Sequence, residues 1–206
     1  MVDPTDHIIS RSLFAGVVIG IGGFLFLSSQ CSLIGALLVS ICFLSCSILK
    51  LNNFTDKSGC LSDYIDFRRL ILVLLLNVIA AFIFGLISRF LNPSIVSAAD
   101  KCVNTILATD YTTCAITSLA VGFIMMLAAE FRKESSGNLL YIMCVFGLLA
   151  IGCSNCVLDS FYYGASSVLY DNAWSLTSRL LVVILFNFMG CNLYNLSVNR
   201  SLIHRV

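Results

Sequence analysis

Polar side chains interrupt a long apolar run at residues 148–164, "LLAIGCSNCVLDSFYYG". Asn155 and Asp159 lie in this run, with Ser154 and Ser160 beside them. An amide donates and accepts hydrogen bonds and a carboxylate accepts them, so these groups can hold a small polar solute without covalent chemistry. Such residues inside a membrane segment are costly and indicate a functional site. The pattern predicts a helix that breaks here and a polar lining for a solute pathway.

The same residues also admit structural interpretations. Asn155 has an alternative role as a hydrogen-bonding partner for a neighbouring membrane helix. Asp159 can accept backbone N–H bonds where a helix starts again after a break. We therefore expect Asn155 to line the pathway, and Asp159 and Ser154 to stabilise the break.

A second polar interruption occurs earlier, in "CFLSCSILKLNNFTDKSG" at residues 42–59. Lys50, Asn52, Asn53 and Thr55 follow the apolar run there and precede a charged loop. We expect Asn52 to stabilise this second break. Lys50 has two possible roles, which are to extend its ammonium group to the membrane interface or to give an inner vestibule a positive field.

The composition is that of an integral membrane protein. Apolar residues make up 59% of the 206 residues, charged residues only 11%, and the mean hydropathy is +0.97. Soluble domains carry about 25% charged residues, so this chain lacks the polar surface that water requires. The ten cysteines lie mostly in apolar runs, where cysteine packs as a small hydrophobic residue.

The side chains that catalysis needs are not grouped in this sequence. Its two histidines, His7 and His204, lie in the tails, and neither a nucleophile with a base nor paired carboxylates stand at a useful spacing. We expect no enzymatic activity, no cofactor and no metal site. The net charge of +1 gives no reason to expect a nucleic-acid partner.

Six apolar spans each approach the ~20 residues that cross a bilayer as a helix. They cover residues 12–29, 33–51, 68–91, 111–130, 139–163 and 174–197. We expect one all-α membrane domain over residues 1–206, with six transmembrane helices in two inverted three-helix halves. The second and fifth helices, one in each half, are the broken ones, and interrupted segments at corresponding positions indicate a site at mid-membrane.

Basic residues predict the orientation of these spans, because Lys and Arg accumulate in cytoplasmic segments. With the N-terminus inside, the cytoplasmic segments hold Arg11, Lys57, Arg68, Arg69, Arg132, Lys133, Arg200 and Arg205. The external side keeps only Arg89, Lys101 and Arg179. We therefore expect residues 1–11 and the tail at 198–206 to be cytoplasmic.

Several motifs in order along the chain resemble those of the formate–nitrite transporter family. They are "LFAGVVIGIGGFLF", "FTDKSG", "SLAVGFIMM", "GCSNCVLDSFYYG" and "WSLTSRLLVVILFNFMGCNLY". The resemblance covers nearly the whole chain. It implies an aquaporin-like six-helix protomer, a homopentamer with one pore per protomer, and substrates such as formate, nitrite, lactate or hydrosulfide.

The resemblance also implies which residues line the pore. The family's loop threonine corresponds to Thr55 and its adjacent constriction residue to Phe54. The remaining pathway positions correspond to Val39, Phe43, Leu148, Thr117, Cys114 and, with an alignment gap, Lys101. Asn155 stands where the family has its pore histidine, Asp159 where the family motif has asparagine, and Ser154 where the family has an acidic residue.

The residue at the pore centre sets this chain apart from the family pattern. Asn155 cannot titrate, whereas a histidine can lend a proton to an entering anion. A channel for small monovalent anions or their weak acids is the function that the resemblance implies. Two alternatives stay open, which are a passive channel for a neutral solute (undissociated acid, urea, ammonia or water) and a non-conducting membrane scaffold.

Overall fold

A computed structural model describes residues 5–58, 64–133 and 137–203, and the secondary structure in these ranges is α-helical. The helices are α1 (Thr5–Ser28), α2 (Leu33–Ile48), α3 (Phe54–Lys57), α4 (Tyr64–Leu91), α5 (Ile95–Ala108), α6 (Tyr111–Phe131), α7 (Gly137–Ala150), α8 (Cys156–Ala165) and α9 (Leu169–Ile203). Helix α1 packs on α2 and α4, α4 on α8, and α6 on α9 and α7.

Four of the described helices are long and apolar enough to cross a membrane. These four segments are His7–Ser28, Phe67–Leu91, Tyr111–Phe131 and Leu169–Leu193. The expectation of an all-helical integral membrane protein is thereby confirmed. Helices α2 and α7 are equally apolar but have only 16 and 14 residues. At about 1.5 Å per residue, each is shorter than the ~30 Å hydrocarbon core.

Helices α2 and α7 end in the same way. After α2, Lys50 takes a left-handed φ of 55°, and the N–H of Leu51 donates to the carbonyl of Cys46 at 2.8 Å. After α7, Gly152 takes a φ of 72°, and the N–H of Cys153 donates to the carbonyl of Leu148 at 3.0 Å. Left-handed residues with such bonds terminate helices by pairing their last carbonyl groups.

Two buried asparagines hold the helices that follow these ends. The N–H of Phe54, the first residue of α3, donates to Asn77 Oδ1 at 2.8 Å. Asn77 Nδ2 in turn donates to the carbonyl groups of Ser12 and Asn52, at 2.8 and 2.9 Å. Buried backbone groups outside a helix need partners inside the protein, and Asn77 pairs with two of them, the Phe54 N–H and the Asn52 carbonyl.

Asn187 does the same for α8. Its Oδ1 accepts from the N–H of Cys156, the first residue of α8, at 3.4 Å, and its Nδ2 donates to the carbonyl of Ser118 at 2.8 Å. Asn77 therefore links α4, α3 and α1, and Asn187 links α9, α8 and α6. Each asparagine connects a long helix, the start of a short helix and a carbonyl of a second long helix.

Glycines let the asparagine-bearing helices approach closely. A Cβ atom at Gly16 would lie 2.5 Å from the Asn77 carbonyl oxygen, and one at Gly122 would lie 2.0 Å from that of Asn187. Gly16 follows Ser12 by four residues, and Gly122 follows Ser118 by four. A side chain at either glycine would therefore displace the backbone that carries the asparagine.

Helix α5 is an element that the sequence analysis did not predict. It buries Ile95, Ala98, Ala99 and Val103 on one side and leaves Lys101 exposed on the other. Its 14 residues form a short amphipathic helix between α4 and α6. It packs against α8 and α1.

Replacing Asn77 with leucine tests the bracing role. The change keeps the side-chain size but leaves the Phe54 N–H and the Asn52 carbonyl without this partner, at a cost of about 1–3 kcal/mol for each buried group. We expect a clearly lower unfolding temperature in detergent, measured by fluorescence-detected size-exclusion chromatography. The same substitution at the exposed Asn104 of α5 is the matched control. Equal stability of the two variants would contradict the bracing role.

Candidate functional site

An outer cavity of about 270 Å³ lies at the loop between α7 and α8. We call it the outer cavity because it is at the end of the molecule where α1 finishes, with Phe26 in its wall. Gly152, Ser154 and Asp159 also line it. A neighbouring cavity of about 250 Å³ shares Gly152 and Ser154 and is lined by Cys114 and Thr117.

An inner cavity of about 420 Å³ lies at the other end of α1, where α2 finishes. It is lined by five basic residues and two acidic ones. These residues are Arg11, Lys50, Lys57, Arg132 and Lys133, with Asp56 and Glu130. Lys133 Nζ is paired with Glu130 at 2.5 Å. The formal excess of positive charge makes this cavity attractive to anions.

The apolar residues predicted to constrict the pathway lie in the packed interior. Val39 and Phe43 of α2, Phe54 of α3 and Leu148 of α7 are all buried. The hydroxyl of Tyr141 donates to the Phe43 carbonyl at 3.5 Å, which links α7 to α2. Their role as pore constrictions stays a prediction, because buried apolar residues also serve as ordinary core.

The two polar atoms of the Asn155 side chain, Oδ1 and Nδ2, have different surroundings. As the residue that caps α8, it accepts hydrogen bonds at Oδ1 from the N–H groups of Val157 and Leu158, at 3.1 and 3.3 Å. Its Nδ2 is buried and has no hydrogen-bond partner within the described chain. The residue thus fastens the start of α8 and keeps one amide donor available.

Unpaired polar atoms gather around this cap. Asp159 Oδ2, the Ser118 hydroxyl and the Tyr163 hydroxyl are buried without partners among the described residues. The Asp159 carboxylate interacts with Ser154, and its backbone N–H donates to the Asn155 carbonyl at 2.8 Å. An unpaired buried polar atom costs free energy, and among these residues Asp159 lines the outer cavity.

The loop before α3 is held by its own polar side chains. Asn53 Nδ2 donates to the Thr55 hydroxyl at 2.9 Å, and Cys191 Sγ contacts the Thr55 carbonyl at 3.5 Å. Asn52 Nδ2 reaches the carbonyl of Ile8 at 3.5 Å. Thr55 and Asn52 are both buried. The Asn52 side chain attaches this loop to α1, while a pore-facing role for Thr55 stays a prediction.

Lys101 lies on the exposed side of α5, away from the helix face that is buried. Thr105 and Ile106 of the same helix line the outer cavity and the neighbouring cavity. Lys101 therefore lies at the margin of these two cavities. The structure therefore brings Ser154 and Asp159 to one cavity and Cys114 and Thr117 to its neighbour. It places Asn155 directly after their shared loop.

Two arginines that the sequence analysis used only to predict topology donate hydrogen bonds to carbonyl groups at helix ends. Arg89 Nε donates to the Gly164 carbonyl at 2.8 Å, near the end of α8. Arg179 Nη2 donates to the Leu107 carbonyl at 2.8 Å, at the end of α5. An Arg or Lys isolated in or beside an apolar run is the signal that could have indicated such caps.

Asp100 of α5 fixes the turn that follows α8. It accepts from the Ser166 hydroxyl at 2.5 Å and from the Ser167 N–H at 2.8 Å. Burial raises the pKa of Asp100, but the hydrogen bonds from Ser166 and Ser167 outweigh it and hold the pKa below its usual range. The carboxylate therefore stays ionised and keeps this turn attached to α5.

Comparison with known proteins identifies the fold. The sequence matches no protein-family model and no curated protein. Among solved structures, it is similar to a pentameric formate channel with formate bound, at a TM-score of 0.82 and 16% identity, covering 97% of both chains. It is also similar to an FNT family ion channel, at a TM-score of 0.80 and 18% identity, covering 91% of this chain and 86% of the other.

The fold is therefore the one found in these membrane channels. More particularly, it is the fold of the formate channel and of the FNT family ion channel. The resemblance to formate–nitrite transporters that the sequence motifs indicated is confirmed at the level of the fold.

Proposed function

We propose that this protein is a membrane channel for small monovalent anions or their weak acids, of the formate, nitrite, hydrosulfide or lactate type. The observation that carries the proposal is the unpaired amide nitrogen of Asn155. It is buried beside the loop that lines the outer cavity, and the apolar side chains of Phe43, Phe54 and Leu148 are buried in the same core. An anion that leaves water there needs a donor, because burying an unpaired charge is costly.

The charges of the inner cavity support an anionic solute. Five basic and two acidic residues line that cavity. The low-dielectric walls of a cleft focus the positive field that such an excess of basic residues creates. One of the similar solved structures holds formate, which is a solute of this class. Lys50 belongs to this inner cavity, which favours the vestibule role over a purely interfacial one.

The proposed architecture has six transmembrane helices in two inverted halves, with broken second and fifth helices. In this scheme α2 with α3 forms the second helix, and α7 with α8 forms the fifth. The matching braces of Asn77 and Asn187 support it, because each joins the third helix of a half to the other two. The whole chain, residues 1–206, forms one channel domain with both termini in the cytoplasm.

We further propose that five protomers assemble with one pore in each, since one similar structure is described as a pentameric channel. Large apolar side chains exposed on α1, α4 and α9, among them Phe14, Leu75 and Leu181, would contact lipid or neighbouring protomers. No cofactor is needed for passive conduction. The protein would act on its solute by selection and not by catalysis.

A neutral solute is the second candidate, and one observation favours it. The carboxylate of Asp159 lines the outer cavity with one oxygen unpaired among the described residues. When the Asp159 side chain is ionised it repels anions, and in either protonation state its oxygen can accept a hydrogen bond from an undissociated acid or from urea. The two candidates differ in how flux depends on charge and voltage.

Replacing Asn155 with serine separates its two roles. Serine caps helices well but places no N–H group at the position of Asn155 Nδ2, so α8 should remain fastened while the donor at that position is lost. We expect formate uptake into proteoliposomes to fall strongly with the unfolding temperature nearly unchanged. The leucine variant loses the cap as well and should also be less stable. A serine variant that conducts like the wild type would remove Asn155 from the pathway.

Removing positive charge from the inner cavity distinguishes an anion from a neutral solute. In the Lys50→Gln and Lys133→Gln variants the attracting field is weaker, so formate and nitrite flux should fall, most clearly at low ionic strength where screening is small. Urea flux should be unchanged. The control is Arg68→Gln, which removes an exposed positive charge that does not line the inner cavity. Equal urea and formate responses would favour the neutral-solute channel.

The topology is tested with a single cysteine placed at either terminus of a variant in which all ten native cysteines are serine. A membrane-impermeant maleimide should label both termini only after the cytoplasmic side is opened. Labelling of either terminus from outside intact cells would contradict the arrangement of two inverted halves.

A further inference from the structure

Two cysteine sulfur atoms meet at the wall of the outer cavity. Cys31 lies in the loop between α1 and α2, and Cys102 lies on α5. Their Sγ atoms are 3.6 Å apart, and both residues line the outer cavity with Ser154 and Asp159. Cys31 is exposed and Cys102 is half-buried.

The backbone holds Cys31 in this position. Gln30 and Cys31 have left-handed φ values of 56° and 58°, a conformation that non-glycine residues seldom take. The N–H of Cys31 donates to the Phe26 carbonyl at 2.9 Å, which fixes the turn that ends α1. Cys102 is equally constrained, since its helix is attached to the turn after α8 through Asp100.

Reactivity toward oxidants is expected at Cys31. A hydrogen bond with Cys102 lowers the pKa of Cys31 to about 7, helped by the charge of Lys101 and opposed by burial. Thiolates are the reactive form of cysteine, and a lowered pKa in an exposed position marks a reactive thiol. Cys102 provides the second thiol that can resolve an oxidised Cys31.

We propose that Cys31 and Cys102 are a reversible dithiol–disulfide site at the mouth of the outer cavity, and that its oxidation by peroxides lowers solute flux. The effect on flux rests on the proposed channel function, whereas the disulfide itself does not. The proposed topology places the pair on the external side, where disulfides form and persist.

The chemistry balances with hydrogen peroxide as the two-electron oxidant. The Cys31 thiolate attacks one peroxide oxygen, the O–O bond breaks, and the departing hydroxide is protonated to water. The resulting sulfenic acid is attacked at sulfur by Cys102, which gives up its proton as the S–S bond forms and a second water leaves. A thiol or phosphine reductant restores both thiols.

A bond between these residues would restrict the cavity mouth. The sulfur atoms must approach from 3.6 Å to about 2.05 Å, which draws the loop after α1 toward α5. The loop then becomes covalently attached to the helix that also supplies Thr105 and Ile106 to the cavity wall. Motion that widens the entrance is lost in the oxidised state.

Peptide mapping tests the disulfide without any transport measurement. The full chain in proteoliposomes is treated with hydrogen peroxide, alkylated and digested, and the linked peptides are identified by mass spectrometry. We expect a crosslink between the peptides of Cys31 and Cys102, absent in Cys31→Ser and in Cys102→Ser. The Cys153→Ser variant is the matched control and should retain the crosslink, because Cys153 lines the same cavity. A linkage of Cys31 to Cys153, or no linkage at all, would overturn the proposal.

Flux tests the functional part. Formate uptake through the peroxide-treated wild type should fall several-fold and return after reduction, whereas the Cys31→Ser variant should not respond to peroxide. A crosslink without a change in flux overturns the gating role but not the disulfide. Absent flux in the reduced wild type counts against the proposed channel function, and the mapping then still decides on the disulfide.

Discussion

The structure depends on one requirement, which is that backbone N–H and carbonyl groups at the buried helix ends find partners away from water. Inside a bilayer such groups have no solvent to bond. Asn77 and Asn187 meet the requirement with two side-chain atoms each. Gly16 and Gly122 follow from it, because only a missing side chain lets the asparagine-bearing helices come so close.

The interior has three zones along the length of α1. A basic cavity lies at the end where α1 begins, buried apolar side chains fill the middle, and a cavity with a carboxylate lies at the far end. In the proposed channel, the basic zone concentrates anions and the apolar zone strips them of water. When ionised, the Asp159 side chain opposes anions at the far end. The balance of these effects would set which solute crosses.

Asn155 contributes both to the stability of α8 and to the proposed selectivity. Its Oδ1 atom caps α8, and the capping geometry presents its Nδ2 atom as an unpaired donor. If the residue only needed to cap α8, aspartate or serine would serve as well. If it only needed to donate a hydrogen bond, it would not need to stand at the start of a helix. The amide satisfies both demands because it carries an acceptor and a donor on one rigid plane. This chain therefore has a residue that both caps a helix and keeps a buried donor at the position where the family resemblance implies a histidine.

The sequence by itself determined the membrane class, the apolar spans and the interruption near Asn155, because these follow from composition and local patterning. The order of its motifs also indicated the channel fold. Tertiary structure alone decided that Asn77 and Asn187 act as braces, that Cys31 meets Cys102, and that Asn155 divides its atoms between cap and donor. Each of these depends on contacts between residues far apart in the chain. The physical reason is that hydropathy records how apolar a residue is, whereas a hydrogen bond depends on which backbone group the fold places opposite it.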